Sequence, residues 1–270
     1  MRSVLSIQDL SCVGRCSLTV ALPVISAMGL RCSVLPTAVL STHTGFPDPE
    51  VISLTEQLSA FCSHWAGVGI RFDAVTTGYM AGPEQAEAIV PLLRQFRSQG
   101  STVIVDPAMG DHGKLYSRLG SDHVLAMAKL SREADILLPN VTEAALLTNN
   151  PYEADPDSSY LQDLTEKLLV SFGVKAVVIT GVTGKDGTIG FCGRERRGEY
   201  FSYYTRVIPR QCHGTGDLYT AVFTGNLLRG SSVYESGVLA ADFVRRCVAA
   251  TDTVSPHGVA FESQIPYLFA

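Results

Sequence analysis

The fold class predicted from this sequence is α/β, a mostly parallel central sheet with helices on both faces. Three observations predict it. Short apolar strand candidates alternate with amphipathic helix candidates, the pattern of a sheet covered on both sides. Thr102 to Val105 is a β-branched run of the kind buried within parallel sheets. Asp106, Asn140 and Thr180 each sit at the end of a strand candidate. In α/β sheets ligands bind at the carboxyl ends of strands.

The elements follow in order. Val4 to Ile7 is a short strand, and Gln8 to Ser17 reads as a polar loop around Gly14. Leu18 to Met28 has helical spacing, interrupted by Pro23 and stopped by Gly29. Cys32 to Leu35 is a second strand. Ser41 to Pro47 is rich in hydroxyls and turn formers, a plain surface loop or a flap over a ligand. Val51 to Trp65 reads as a helix and Ala74 to Thr77 as a strand. Pro83 to Ser98 is an amphipathic helix with Ala86, Ile89, Val90, Leu93 and Phe96 on one side. Thr102 to Val105 ends in Asp106-Pro107. A helix over Ser121 to Leu130, a strand over Ile136 to Leu138, and helices over Thr142 to Leu147 and Leu161 to Phe172 follow. Ala176 to Thr180 is a strand. Thr188 to Cys192 and Tyr200 to Tyr204 form an antiparallel pair, and Val233 to Thr251 is a last long helix. No linker, repeat or composition shift divides the chain, which predicts a single domain over residues 1–270.

Composition excludes several classes. The chain has 270 residues, 46% hydrophobic and 17% charged, ordinary for a globular protein with a large core. Net charge is −5 without a long basic run, which argues against a nucleic-acid partner. Met1 to Leu10 holds Asp9 and no long apolar stretch, so no signal peptide is expected. No apolar run reaches the ~18 residues of a membrane span. The seven cysteines are scattered and form no C-x-x-C pairs, the usage of reduced thiols in the cytoplasm.

The most informative stretch is Gly214-Thr215-Gly216-Asp217, followed by helically spaced Leu218, Ala221, Val222, Leu227 and Leu228. A glycine turn entering a helix aims free backbone N–H groups and the positive dipole end at one spot, which favours a phosphate. Asp217 would repel that anion, unless it takes a proton from an attacking hydroxyl. The other reading is a strand-to-helix turn with the aspartate as cap. Asp106, Asn140, Glu143, Thr180 and Asp217 would converge at strand ends. Carboxylates beside an anion turn point to Mg²⁺ held through few protein ligands and water. The chain holds no G-x-x-x-x-G-K-[ST], and its G-x-G lies far from the first strand, against a P-loop or a Rossmann site.

Seven segments, in order, carry a resemblance. They are Ser6-Ile7-Gln8; Thr42-His43-Thr44-Gly45; Thr77-Gly78-Tyr79; Asp106-Pro107-Ala108-Met109-Gly110-Asp111; Leu138 to Glu143; Val178-Ile179-Thr180; and Gly214 to Asp217. The chain resembles the ribokinase superfamily and, within it, the pyridoxal (vitamin B6) kinases. The resemblance implies a ribokinase-like fold with a small lid, made of the antiparallel edge and the Ser41 to Pro47 flap. It implies ATP-dependent phosphorylation of the 5′-hydroxymethyl group of pyridoxal, pyridoxamine or pyridoxine, a Mg²⁺ requirement and a homodimer.

It also implies roles. Asp217 resembles the catalytic base, and Gly214 and Gly216 the anion hole for the transferred phosphoryl. Asp106 and Glu143 resemble metal-holding residues. Asp106, Asp111, Tyr116, Asn140, Thr180 and Thr215 resemble nucleotide contacts, with Asp111 and Tyr116 in a loop closing over ATP. Thr44 and Tyr79 resemble contacts to the pyridine ring, and His43 is read as a hydrogen-bonder of the flap. The chain departs from the family where many members carry Ser-His after the first strand and this one carries Asp9-Leu10. An ionised Asp9 only accepts hydrogen bonds, so it would favour a protonated ring nitrogen; the alternative is a turn cap. A hydroxymethylpyrimidine kinase, a sugar kinase and a non-catalytic ligand-binding member of the same fold are the rival readings.

Overall fold

The structure is a computed structural model, and it describes residues 1–117, 119–252 and 255–269. The chain falls into two compact units. The first joins both ends of the chain, Met1–Gly78 with Ile208–Ala270, and the second is Tyr79–Val207. The α/β class and the mostly parallel pairing are as the sequence predicts.

In the first unit, strand β1 (Ser3–Ser11) lies between β2 (Arg31–Leu40) and β4 (Ala74–Thr77), parallel to both. The short β3 (Val51–Ser53) pairs antiparallel with β2. Val4, Leu5 and Ile7 are wholly buried. Each such side chain contributes about 1.5–3 kcal/mol by leaving water. Helix α1 (Leu18–Ala27) packs on β1 and on α7 (Thr215–Arg229), which packs on α8 (Val233–Ala250). Helix α2 (Thr55–Gly67) lies against β2.

The second unit opens with α3 (Pro83–Ser98), with Pro83 in the first turn where its missing N–H costs nothing. Strands β5 (Thr102–Val105), β8 (Ile136–Leu137) and β9 (Ala176–Gly184) run parallel. β10 (Thr188–Glu195) and β11 (Tyr200–Arg206) add antiparallel to β9. Between them come the small hairpin β6 (Gly110–Asp111) and β7 (Lys114–Leu115), then α4 (Ser121–Ser131), α5 (Val141–Thr148) and α6 (Ser158–Phe172).

Four elements differ from the expectation. Gln8 to Ser11 continue β1 instead of starting a loop, because Leu10 and Ser11 pair with Val39 and Leu40 beyond a bulge at Gln8. The segment expected to be helical from Val51 is strand for three residues, which pair with β2, and turns helical at Thr55. Thr180 does not end its strand, since β9 runs on to Gly184 in its ladder with β10. Val90 is only half-buried on α3, while Leu92 is buried. Among the described residues no helix is long and apolar enough to cross a membrane.

Candidate functional site

The glycine turn of the first unit is shaped by its neighbours. Gly214 is the residue preceding α7 and has φ 80°, left-handed backbone that glycine adopts without strain. A Cβ on Gly214 would lie 2.0 Å from the Arg15 carbonyl oxygen. Both constraints demand glycine. The loop 12–17 thus runs directly against the turn, and Arg15 N donates to His257 O at 2.7 Å. Val259 N closes the other side onto His213 O at 3.0 Å. The first N–H groups of α7 point into this turn, since the first four of any helix lack an intrahelical acceptor. Thr215 and Gly216 occupy its opening positions.

Asp217 stands in the first turn of α7 and does not cap it, because no side chain caps this helix. Burial pushes its carboxyl up to about 6, a backbone hydrogen bond from Ser17 opposes the rise, and the nearby Asp9 charge adds to it. Asp9 is 4% exposed and lies within β1, not in a turn. Its Oδ1 accepts from Ser17 Oγ at 2.6 Å and its Oδ2 from Ser11 Oγ at 3.0 Å. Burial raises its pKa, against these two hydroxyl bonds.

The expected flap sits beside the turn. His43 is buried; its Nδ1 accepts from Gly45 N at 3.0 Å, and its Nε2 lies 2.8 Å from the Pro256 carbonyl. Those partners fix the tautomer with hydrogen on Nε2. A Cβ on Gly45 would meet His213 Nε2 at 2.7 Å, which places the segment against the residue preceding Gly214. Thr44 is exposed in this turn, and Phe46 packs edge-on against His43 with centroids 4.9 Å apart.

The second unit gathers its own set. Asp106 directly follows β5 and is 9% exposed. Asn140 precedes α5 and forms a capping box with Glu143: Glu143 N donates to Asn140 Oδ1 at 2.9 Å, and Asn140 N to Glu143 Oε2 at 2.8 Å. Thr180 joins Asn140 through a parallel bridge, with Thr180 N donating to Pro139 O at 2.8 Å. The same cap reaches the β6–β7 hairpin. Glu143 Oε1 accepts from Met109 N at 3.0 Å, Asn140 Nδ2 donates to Gly110 O at 2.7 Å, and Gly113 N donates to Thr142 Oγ1 at 2.9 Å. Burial raises the Glu143 carboxyl to about 7 against three backbone hydrogen bonds. Asp111 and Tyr116 are exposed on and beside the hairpin, and the Tyr116 ring lies 6.3 Å from that of Tyr79.

The first unit therefore brings together Asp9, Thr44, Gly214, Thr215, Gly216 and Asp217, and the second Asp106, Asp111, Tyr116, Asn140, Glu143 and Thr180 with Tyr79. Ser17 escaped the sequence reading. Its position just before Leu18 marked a helix start, but its hydroxyl turns to Asp9 and leaves the helix uncapped. Among the described residues no three His, Cys, Asp or Glu side chains cluster to hold a metal ion.

Four comparisons bear on this geometry. The family model for phosphomethylpyrimidine kinase matches residues 22–260. A pyridoxal kinase of Arabidopsis thaliana is 30% identical over 232 residues, 82% of this chain and 73% of that protein. A Bacteroides thetaiotaomicron protein, crystallised with pyridoxal under the description phosphomethylpyrimidine kinase, superposes with a TM-score of 0.94 at 32% identity, over 100% of this chain and 96% of that one. The pyridoxal kinase of Lactobacillus plantarum gives 0.90 at 34% identity, over 99% and 96%. The chain belongs to the phosphomethylpyrimidine kinase family and, within it, to the pyridoxal kinases.

Proposed function

We propose that the protein transfers the γ-phosphoryl group of ATP to the 5′-hydroxymethyl group of pyridoxal, pyridoxamine or pyridoxine. The observation that carries this reading is Asp217, a carboxylate tuned to about 6 in the first turn of a helix entered through a glycine turn. A base with a pKa near the working pH combines the right protonation state with driving force for proton transfer. Asp217 takes the hydroxyl proton as the oxygen attacks phosphorus. The N–H groups at Gly214, Thr215 and Gly216 stabilise the charge on the transferring phosphoryl oxygens.

In the second unit Asp106, Asp111, Tyr116, Asn140 and Thr180 are the nucleotide contacts. The donor set there fits Mg²⁺. Asp106 and Glu143 are hard oxygen donors at one strand-end region; Glu143 Oε1 accepts from both Met109 N and Gly110 N, whereas Oε2 accepts from Asn140 N and keeps a second lone pair. Two carboxylates with water and phosphate suit this ion, which seldom uses an all-protein cage. When bound, it neutralises phosphate charge. Thr44 is the proposed ring contact of the first unit. Asp9, whose two oxygens each accept one hydroxyl bond and keep a second lone pair, stays a candidate contact to a protonated ring nitrogen. A homodimer in the cytoplasm is part of the same reading, its size open to light scattering.

The Bacteroides neighbour that holds pyridoxal favours B6 vitamers over a pyrimidine. An ADP-release assay with the three vitamers and with hydroxymethylpyrimidine decides between them. Turnover on the pyrimidine alone would replace this reading with the rival kinase, and turnover on none would leave a ligand-binding protein.

A further inference from the structure

Three stretches of the first unit, far apart in sequence, meet on one backbone oxygen. A Cβ on Gly214 would lie 2.0 Å from the Arg15 carbonyl oxygen. One on Gly258 would lie 2.9 Å from the same atom and 3.0 Å from His213 O. Loop 12–17, the glycine turn and the C-terminal segment 255–259 therefore cross with no room for a side chain. Backbone bonds tie the crossing, from Arg15 N to His257 O at 2.7 Å and from Val259 N to His213 O at 3.0 Å. The Arg15 side chain fastens the same segment further along. Its Nε donates to Glu262 Oε1 at 2.5 Å, and its Nη1 lies 3.5 Å from Gly258 O. Past that point the segment is seated on the unit: Phe261 and Leu268 are buried, and the Arg246 guanidinium lies 3.9 Å from the centroid of the Tyr267 ring.

We propose that Arg15 is a positioning residue for the phosphoryl-binding turn: with Glu262 it locks the C-terminal segment across Gly214, so that the N–H groups of residues 214–216 hold one geometry during transfer. This deepens the proposed function, since it takes the glycine turn as the anion hole. Glycine is the residue with the most backbone freedom, so a turn built on Gly214 and Gly216 does not fix itself. Donors aimed at developing charge work only when they are already in place. The crossing supplies that order from outside the turn. Side-chain exposure is 29% for Arg15 and 54% for Glu262, and an ion pair so open to water adds little to global stability. Its loss therefore reads out in the turn and not in the fold as a whole.

The test is a charge reversal and its compensating swap. Glu262→Arg sets two guanidinium groups against each other, and Arg15→Glu combined with Glu262→Arg restores the pair in the opposite sense. Hydrogen exchange at the Val259 amide, which bonds across the crossing, should run about tenfold faster in Glu262→Arg and return to within about threefold of wild type in the double variant. Steady-state kinetics with pyridoxal should show kcat lower by about tenfold in Glu262→Arg, KM for pyridoxal held, and recovery in the double variant. Unchanged exchange in Glu262→Arg would overturn the lock. So would a loss that the double variant does not recover, since that marks general damage and not the ion pair. Faster exchange with kcat unchanged would overturn the positioning role, and a raised KM with kcat held would make Arg15 a substrate contact and overturn it too. If wild type phosphorylates no vitamer, faster exchange with recovery in the double variant still supports the lock, and the proposed function alone fails. If Glu262→Arg does not fold, Glu262→Gln removes only the charge. It should speed Val259 exchange by about two- to fivefold, and unchanged exchange would overturn the proposal.

Discussion

Asp217→Asn removes the proton acceptor and keeps the shape of the side chain. General-base catalysis is worth about two to four orders of magnitude in rate. That corresponds to about 2.7–5.4 kcal/mol of barrier. The structure adds a pH signature, because burial places the carboxyl near 6. Above that value the base is ionised. One unit below it only ~10% of molecules carry the ionised form, so wild-type kcat/KM for pyridoxal, which follows the free enzyme, should be halved near pH 6 and lose a factor of roughly ten per unit below pH 5. In the Asn variant this limb disappears along with the rate. The assay is coupled ADP release with subsaturating pyridoxal and saturating ATP across pH 4 to 8, with calorimetry to confirm that the variant still binds ATP. Turnover within about tenfold of wild type, or a variant retaining the acidic limb, would remove Asp217 as the base.

The burial that raises Glu143 to about 7 from 4.5 makes the folded state bind a proton that the unfolded chain has released, so stability should fall as pH rises from about 4.5 to about 7, by roughly 3 kcal/mol. Thermal unfolding of Glu143→Gln should show a flatter slope across that window, and equal slopes in both proteins would refute the cause. In kinetics, Glu143→Gln should weaken the Mg²⁺ dependence of turnover; an unchanged dependence takes Glu143 out of the metal shell. Gly214→Ala sets a Cβ 2.0 Å from the Arg15 carbonyl and forces a positive φ, so melting should drop and phosphoryl transfer should be lost, whereas a fully active, equally stable variant would refute the packing. If Ser41 to Pro47 closes on ligands, proteolysis near Phe46 should be suppressed by pyridoxal with nucleotide; equal cutting in both states would leave a static loop.

The parts of the chain read most easily from sequence are those whose neighbours are local. Helix α3 announces itself by Pro83 and its apolar spacing, and β5 by a β-branched run, and both boundaries match. The glycine turn was legible because its two glycines and aspartate are contiguous. What escaped depends on distant partners. Gln8 to Ser11 look polar and loop-like, yet pairing with β2 makes them strand. Val51 to Ser53 are strand only because Ala38 to Leu40 lie beside them. Asp9 is the sharpest case. Its carboxylate suggested a ring contact, and only the fold shows Ser17 and Ser11 each donating to one of its oxygens. No local pattern tells that a serine before a helix will decline to cap it and bind a residue eight positions back.

The division of the first unit between the two chain ends bears on how the protein is made. Residues 79–207 are contiguous, so during synthesis every member of the second unit leaves the ribosome before any residue after Val207. Residues 1–78 emerge earliest and wait longest. β1, α1 and the loop of Arg15 and Ser17 exist as nascent chain while the glycine turn that fits against them, and helix α7 that covers α1, are still untranslated. Contacts across such a span impose the largest loop-closure cost and form late. On the proposed reading, the base at Asp217 is complete only once helix α7 and the stretch through Val259, which closes on His213, have been made. On the proposed reading, a polypeptide of residues 1–207 would hold the second unit's nucleotide contacts and lack Asp217, the group that activates the acceptor.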